Sequence, residues 1–166
     1  VAVELYLIRH GVAAERGDAW PDDNKRPLTD DGVKRLRKIT KGLVEIGVGF
    51  DVMLTSPLVR AKQTAELMAS VMKPEPPIAL TDALSPGASY ASVLDELGKH
   101  ARRRRIALVG HEPGMGALAA RLMGSRHALE FKKGAIARID VAALPPTGAG
   151  GLVWFLSPKL LRKLGK

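Results

Sequence analysis

The strongest constraint on this chain is a set of short, nearly uninterrupted apolar runs set between segments of helical periodicity. Val3 to Arg9, Phe50 to Thr55 and Ile106 to Val109 are each too short for a stable helix, and none shows the in-out alternation of a strand with one wet face. Such runs are the mark of strands covered on both faces. Ile78 to Leu80 reads as a further short strand.

The intervening segments read as helices. Thr29 has the chemistry of an N-cap, followed by Asp30 and Asp31 in a first turn. The helix then runs to about Gly47, burying Val33, Leu36, Thr40, Leu43 and Val44 and leaving Lys34, Arg35, Arg37, Lys38 and Lys41 outside. Ser56-Pro57 supplies a favoured cap and first residue for a second helix, with Arg60 on its opening turn. Its buried stripe is Ala61, Thr64, Ala65, Met68, Val71 and Met72, and Pro74, Pro76 and Pro77 end it. Tyr90, Val93, Leu94, Leu97 and Ala101 mark a third helix, and Gly114 to Met123 a fourth. Ala135 to Val141 and Leu152 to Leu156, joined by a Pro- and Gly-rich turn, read as an antiparallel hairpin. The alternation predicts a three-layer α/β/α fold with a mostly parallel central sheet, helices on both faces and an antiparallel C-terminal edge. One domain over residues 1–166 is expected from the length.

Composition narrows the function classes. The formal charge of +9 attracts nucleic acid, membrane surfaces and acidic proteins alike, so charge alone does not choose a partner. Aromatic residues make up only 4% of the chain and do not interleave with Arg102 to Arg105, which argues against base-stacking platforms and a nucleic-acid partner. That basic run reads as a solvated helix end. No signal peptide or long apolar span is visible, so neither a membrane partner nor a membrane span is expected. The absence of cysteine leaves no disulfide framework, and the cytoplasm is the expected compartment.

In open parallel sheets, ligands bind at the C-terminal ends of the strands. Arg9-His10-Gly11 follows the first strand, Arg60 opens the helix after the second, and Gly110-His111 follows the strand at Ile106 to Val109. Two guanidinium groups and two imidazoles in one crevice suit a phosphoryl dianion. A neutral imidazole can attack phosphorus, and a second one, protonated, can donate to the developing charge. The neighbouring arginines are expected to lower the pKa of His10 and keep it unprotonated. A metal role for His10 and His111 is disfavoured, because the adjacent guanidinium groups repel a cation and no carboxylate or thiol motif completes a ligand set. No cofactor is expected.

These motifs resemble those of the histidine phosphatase superfamily, also called phosphoglycerate mutase-like. The resemblance rests on Arg9-His10-Gly11, Ser56-Pro57-Leu58-Val59-Arg60-Ala61-Lys62-Gln63-Thr64 and Gly110-His111-Glu112-Pro113, in that order. Arg26-Pro27-Leu28-Thr29, Leu84-Ser85-Pro86, Phe131-Lys132-Lys133-Gly134 and Ser157-Pro158 extend the likeness to the short SixA-type phosphohistidine phosphatases. The resemblance implies that His10 becomes a phosphohistidine, that Arg9 and Arg60 bind phosphoryl oxygens, and that His111 is the second pocket histidine. Arg26 is a further candidate at the rim. It also implies hydrolysis of phosphohistidine on a protein, such as a phosphotransfer domain, by a monomeric, metal-independent enzyme of signal transduction.

Larger relatives protonate the leaving oxygen with an acid, often carried in an insertion after the second helix. Here the region between Met72 and Ile106 is short, which predicts an open cleft. Glu112, Glu15, Asp18, Asp22 and Asp23 are the candidate substitutes. A small-molecule phosphomonoesterase with the same pocket is the alternative. A mutase is disfavoured for want of residues to cage an intermediate, and a nucleic-acid or acidic-protein binding module would leave the Arg-His motifs unexplained.

Overall fold

A computed structural model describes residues 2–166; Val1, the first residue of the expected domain, lies outside the described residues. Six strands form one sheet: β1 (Val3–Arg9), β2 (Val52–Thr55), β3 (Ile78–Leu80), β4 (Arg105–Gly110), β5 (Ile136–Val141) and β6 (Gly151–Leu156). Their order is β3-β2-β4-β1-β5-β6. The first four of that order are parallel, and β5 and β6 add an antiparallel edge.

The helices are α1 (Asp30–Glu45), α2 (Val59–Val71), α3 (Tyr90–Gly98), α4 (Gly114–Met123) and α5 (Pro158–Leu164). Successive side chains of a strand leave opposite faces, so the apolar runs feed two cores. Tyr6, Ile8, Met53 and Val109 pack with Leu36 and Leu43 of α1, Met68 of α2 and Leu161 of α5. Leu5, Leu7, Leu54 and Leu108 pack with Val93 and Leu97 of α3 and Leu118 of α4. Two covered faces are therefore why these strands read as continuous apolar runs. No helix among the described residues is long and apolar enough to cross a membrane.

Several local expectations give way to tertiary structure. Thr29 caps α1 as expected, its hydroxyl accepting from the Gly32 N–H, but the buried stripe contains Ile39 while Val44 is exposed. That stripe shift follows α5, which the sequence pattern does not announce. α5 packs so closely on α1 that a Cβ on Gly42 would overlap the Leu161 carbonyl. Helix α2 starts at Val59 with Leu58 as its cap residue, so Ser56 and Pro57 precede the helix instead of opening it. Helix α3 stops at Gly98, and the Arg102–Arg105 run is not a helix end. It turns into β4, where the Arg104 and Arg105 N–H groups donate to Asp51 Oδ2 and the Arg105 side chain pairs with Glu4 at 2.9 Å.

Candidate active site

Three strand ends deliver the site. Arg9 closes β1 and His10 follows it, its N–H donating to the Gly110 carbonyl at the end of β4 at 3.0 Å. The Ser56 N–H in turn donates to Val109 O, so the segments after β1, β2 and β4 are tied together by main-chain bonds. His10 and His111 are each only 5% exposed, and their ring centroids lie 5.2 Å apart. With Arg9, Arg60 and Arg26 they line one cleft of about 400 Å³, so the structure brings together all five residues the sequence named for the site. From the short segment between α2 and β4, Pro86 alone borders this cleft.

The hydrogen bonds define the tautomers. His10 Nδ1 lies 2.7 Å from the Gly11 carbonyl, which only accepts, so Nδ1 carries the proton and Nε2 keeps a free lone pair. His111 Nε2 lies 2.8 Å from Ser56 Oγ. That hydroxyl is fully buried and accepts from the Leu58 N–H at 3.2 Å, and among the described residues Nε2 is the one acceptor within reach of its own proton, so the proton goes to Nε2 and the His111 proton sits on Nδ1, an assignment made from the bonding network. His111 is thereby a donor while neutral, and donation does not require the protonated ring.

Burial is the main reason both rings stay neutral. It pushes the His10 pKa down to about 3, opposed by the Gly11 hydrogen bond and assisted by His111, Arg60 and Arg9. His111 is lowered to about 4, again chiefly by burial and then by Arg60. The arginines act in the expected direction, but dehydration of the ring is the larger effect.

Arg60 is 2% exposed and held by Asp23, with NH1 donating to its carbonyl at 2.8 Å and NH2 to Oδ2 at 3.1 Å. Arg26 lines the same cleft, from within its wall and not at an exposed rim. It is 6% exposed within the wall, donating from Nε to Asp23 Oδ1 at 2.8 Å and from NH1 to Ala14 O at 2.6 Å. Partial burial opposes ionisation of Asp23, but Arg26, Arg60 and Arg16 outweigh it and hold the carboxyl below its usual range. Arg9 NH1 donates to Phe131 O at 2.7 Å. Glu112 is occupied on both oxygens, accepting from the N–H of Gly116 at 2.6 Å and of Phe131 at 3.1 Å. Gly116 has to be a glycine, because a Cβ there would overlap the Leu129 carbonyl.

Asp23, Ser56 and Thr64 do work the sequence reading did not assign. Thr64 Oγ1 accepts from the Gly11 N–H at 3.1 Å and donates to Arg60 O at 2.7 Å, linking the His10 loop to α2. Ser56 and Thr64 stand inside the quoted motif, which was the available signal. Nothing in the spacing joins Asp23 to Arg60.

Buried nitrogens without any partner, among the described residues, are Arg9 Nε, Arg60 Nε and His111 Nδ1. An unmet buried polar group costs about 1–3 kcal/mol, so such atoms are rarely left without a use. Here they belong to residues lining one cleft, beside an imidazole with a free lone pair. The arrangement can bind a tetrahedral oxyanion and attack it. Among the described residues no three His, Cys, Asp or Glu side chains gather as a metal site.

A family model for the histidine phosphatase superfamily (branch 1) matches residues 5–85. An uncharacterised protein of Picosynechococcus sp. is 36% identical over 96% of this chain and 99% of its own length. Phosphohistidine phosphatase SixA of Escherichia coli (strain K12) is 28% identical over 94% of each chain. The structure of the protein histidine phosphatase SixA complexed with tungstate superimposes with a TM-score of 0.85 at 26% identity, over 96% of this chain and 99% of that one. Motif order, fold and similarity along nearly the whole chain agree: the protein belongs to the histidine phosphatase superfamily and is a phosphatase by that membership.

Proposed function

We propose that the protein hydrolyses phosphohistidine on a partner protein through a covalent phosphohistidine on its own His10. The observation that carries this reading is one cleft lined by His10, whose Nε2 is free, and by Arg9, Arg60 and His111, each of which has a buried, unpartnered nitrogen. The substrate ring first takes a proton from water on its other nitrogen; His10 Nε2 then attacks phosphorus while the bond from phosphorus to that ring breaks, and the ring departs as neutral imidazole. Water then attacks the phosphoenzyme, the P–Nε2 bond breaks, and inorganic phosphate leaves with His10 neutral again. Arg9, Arg60 and His111 stabilise the oxygens that carry the transition-state charge. Asp23 positions Arg60, and Ser56 fixes the His111 tautomer. The cycle draws on no metal.

Preference for P–N over P–O bonds follows from the acids. Glu112 and Asp23 are both engaged as acceptors. An imidazole leaves without help because its conjugate acid has a pKa of about 6.5, whereas an alkoxide, with a conjugate acid near that of water at about 15.7, needs a positioned proton donor. The SixA relative, named a phosphohistidine phosphatase, and the tungstate held by the SixA structure support the same reading by similarity. The alternative, a small-molecule phosphomonoesterase, is favoured by one observation: Glu15 lines the cleft and makes no hydrogen bond or ion pair among the described residues.

The test offers the enzyme a phosphohistidine-bearing carrier protein, a phosphoserine peptide and several sugar phosphates side by side and compares kcat/KM. The carrier is expected to lead, with acid-labile, alkali-stable label on His10 that disappears in His10→Ala. Glu15→Gln is expected to leave carrier hydrolysis unchanged. Equal cleavage of phosphoserine or a sugar phosphate, lost in Glu15→Gln, would install the phosphomonoesterase reading.

A further inference from the structure

A second cleft, of about 480 Å³, adjoins the first, and Arg9 and Lys133 line both. Its walls carry Arg9, Arg35, Lys132, Lys133, Lys159 and Arg162, and no carboxylate. These cations arrive from β1, α1, the segment before β5, and α5, so only the tertiary fold assembles them. Arg35 pairs with Asp31 at 2.8 Å. Lys132, Lys133, Lys159 and Arg162 make no ion pair among the described residues.

A row of cations along a convex helix face would be well solvated and would need no ligand. This cluster is concave, with Leu36, Ile39 and Pro158 among its lining, so like charges converge on shared space, and among Lys132, Lys133, Lys159, Arg162 and Arg35 the described residues give only Arg35 a carboxylate partner. The fold gains nothing from that repulsion. An anionic ligand would relieve it. No aromatic side chain lines the cleft to stack a base, which favours a carboxylate-bearing ligand over a nucleic acid. Because Arg9 and Lys133 are common to both clefts, a ligand here lies alongside whatever occupies the catalytic cleft.

We infer that this cleft receives acidic side chains flanking the phosphohistidine of the substrate protein, and so selects carriers with an acidic face; the inference rests on the phosphohistidine reading. Arg9 then serves two anions, the phosphoryl group on one side and the acidic flank on the other. The cleft contributes to carrier binding and leaves the chemical step alone.

The experiment compares the wild-type enzyme with Lys159→Glu/Arg162→Glu, and with Lys34→Glu/Lys41→Glu, which makes the same change in net charge on the exposed face of α1. Lys159→Gln/Arg162→Gln repeats the test without reversing charge, in case reversal disturbs α5. On a phosphotransfer-domain carrier with acidic residues around its phosphohistidine, the cleft variant is expected to raise KM at least tenfold at unchanged kcat and to flatten the salt dependence. The α1 variant should shift KM less than threefold, and aryl phosphate turnover should be unchanged in both. Equal effects of the two variants on the carrier, or a matching loss on aryl phosphate, would overturn the inference.

Fluorescence anisotropy with a labelled, unphosphorylated Glu-rich peptide reads the cleft without turnover. The wild type should bind it and the cleft variant should lose that binding. Equal binding by both, or displacement by a single-stranded RNA oligomer at lower concentration than by unlabelled peptide, would refute an acidic protein ligand. Failure of the wild type to dephosphorylate the carrier, with peptide binding still lost in the variant, would remove the catalytic reading and leave the acidic-ligand cleft standing.

Discussion

Lowering the pH from 7 to 5 is expected to destabilise the protein by about 4 kcal/mol through His10 and His111 alone. Both are buried and neutral, with pKa values lowered from 6.5 to about 3 and about 4. Below 6.5 the unfolded chain takes up protons that the native chain refuses, so this stability is intact above that value and is lost as the pH falls through it. At pH 5 the unfolded imidazoles are nearly all charged and the native ones nearly all neutral, which amounts to about 2 kcal/mol for each ring. Urea denaturation at the two pH values, for the wild type and for His10→Gln/His111→Gln, isolates the effect, because contributions from carboxylates are common to both proteins. The wild type should lose about 4 kcal/mol more than the double variant. Equal losses would mean that the rings are hydrated or already charged when folded, and would refute the argument that burial supplies a nucleophile with a free lone pair.

Ser56→Ala removes the partner of His111 Nε2 and of the Leu58 N–H, and is expected to cost about 1–3 kcal/mol of stability in urea denaturation. It should also cost roughly 10- to 100-fold in kcat at little change in KM, part of what a lost oxyanion donor costs. Asp23→Asn should lower kcat/KM about tenfold by loosening Arg60, while stability falls by less than about 1 kcal/mol because the Asp23 side chain is 43% exposed and its ion pairs are screened. Activity is expected to survive exhaustive chelation and to be inhibited by vanadate, which presents His10 with the geometry of the transferring phosphoryl group; loss of activity restored only by added metal would contradict the metal-free cycle.

The sequence by itself determined the layers and the location of the site. Runs such as Val3 to Arg9 are apolar on both faces because helices cover both sides of the sheet, and that requirement is written locally. Parallel order follows from strand-helix alternation, and strand ends are where unpaired backbone and converging loops leave room for a ligand, so Arg9, His10, Arg60 and His111 were legible from their places in the pattern. Tertiary structure decided everything that depends on groups distant in the chain. The neutral charge of His10 comes chiefly from burial, which no local spacing encodes. Ser56 reads as a helix cap in isolation, but the approach of β4 makes it the partner of His111. Asp23 and Arg26 read as loop charges until the loop after β1 folds back onto α2 and turns them into the brace of Arg60. Helix α5 is too short to announce itself by periodicity; Ser157 caps it, and Gly42 lets α1 pack closely against it. With α5 comes the second basic cleft, whose cations are dispersed along the sequence and share space only in the folded chain.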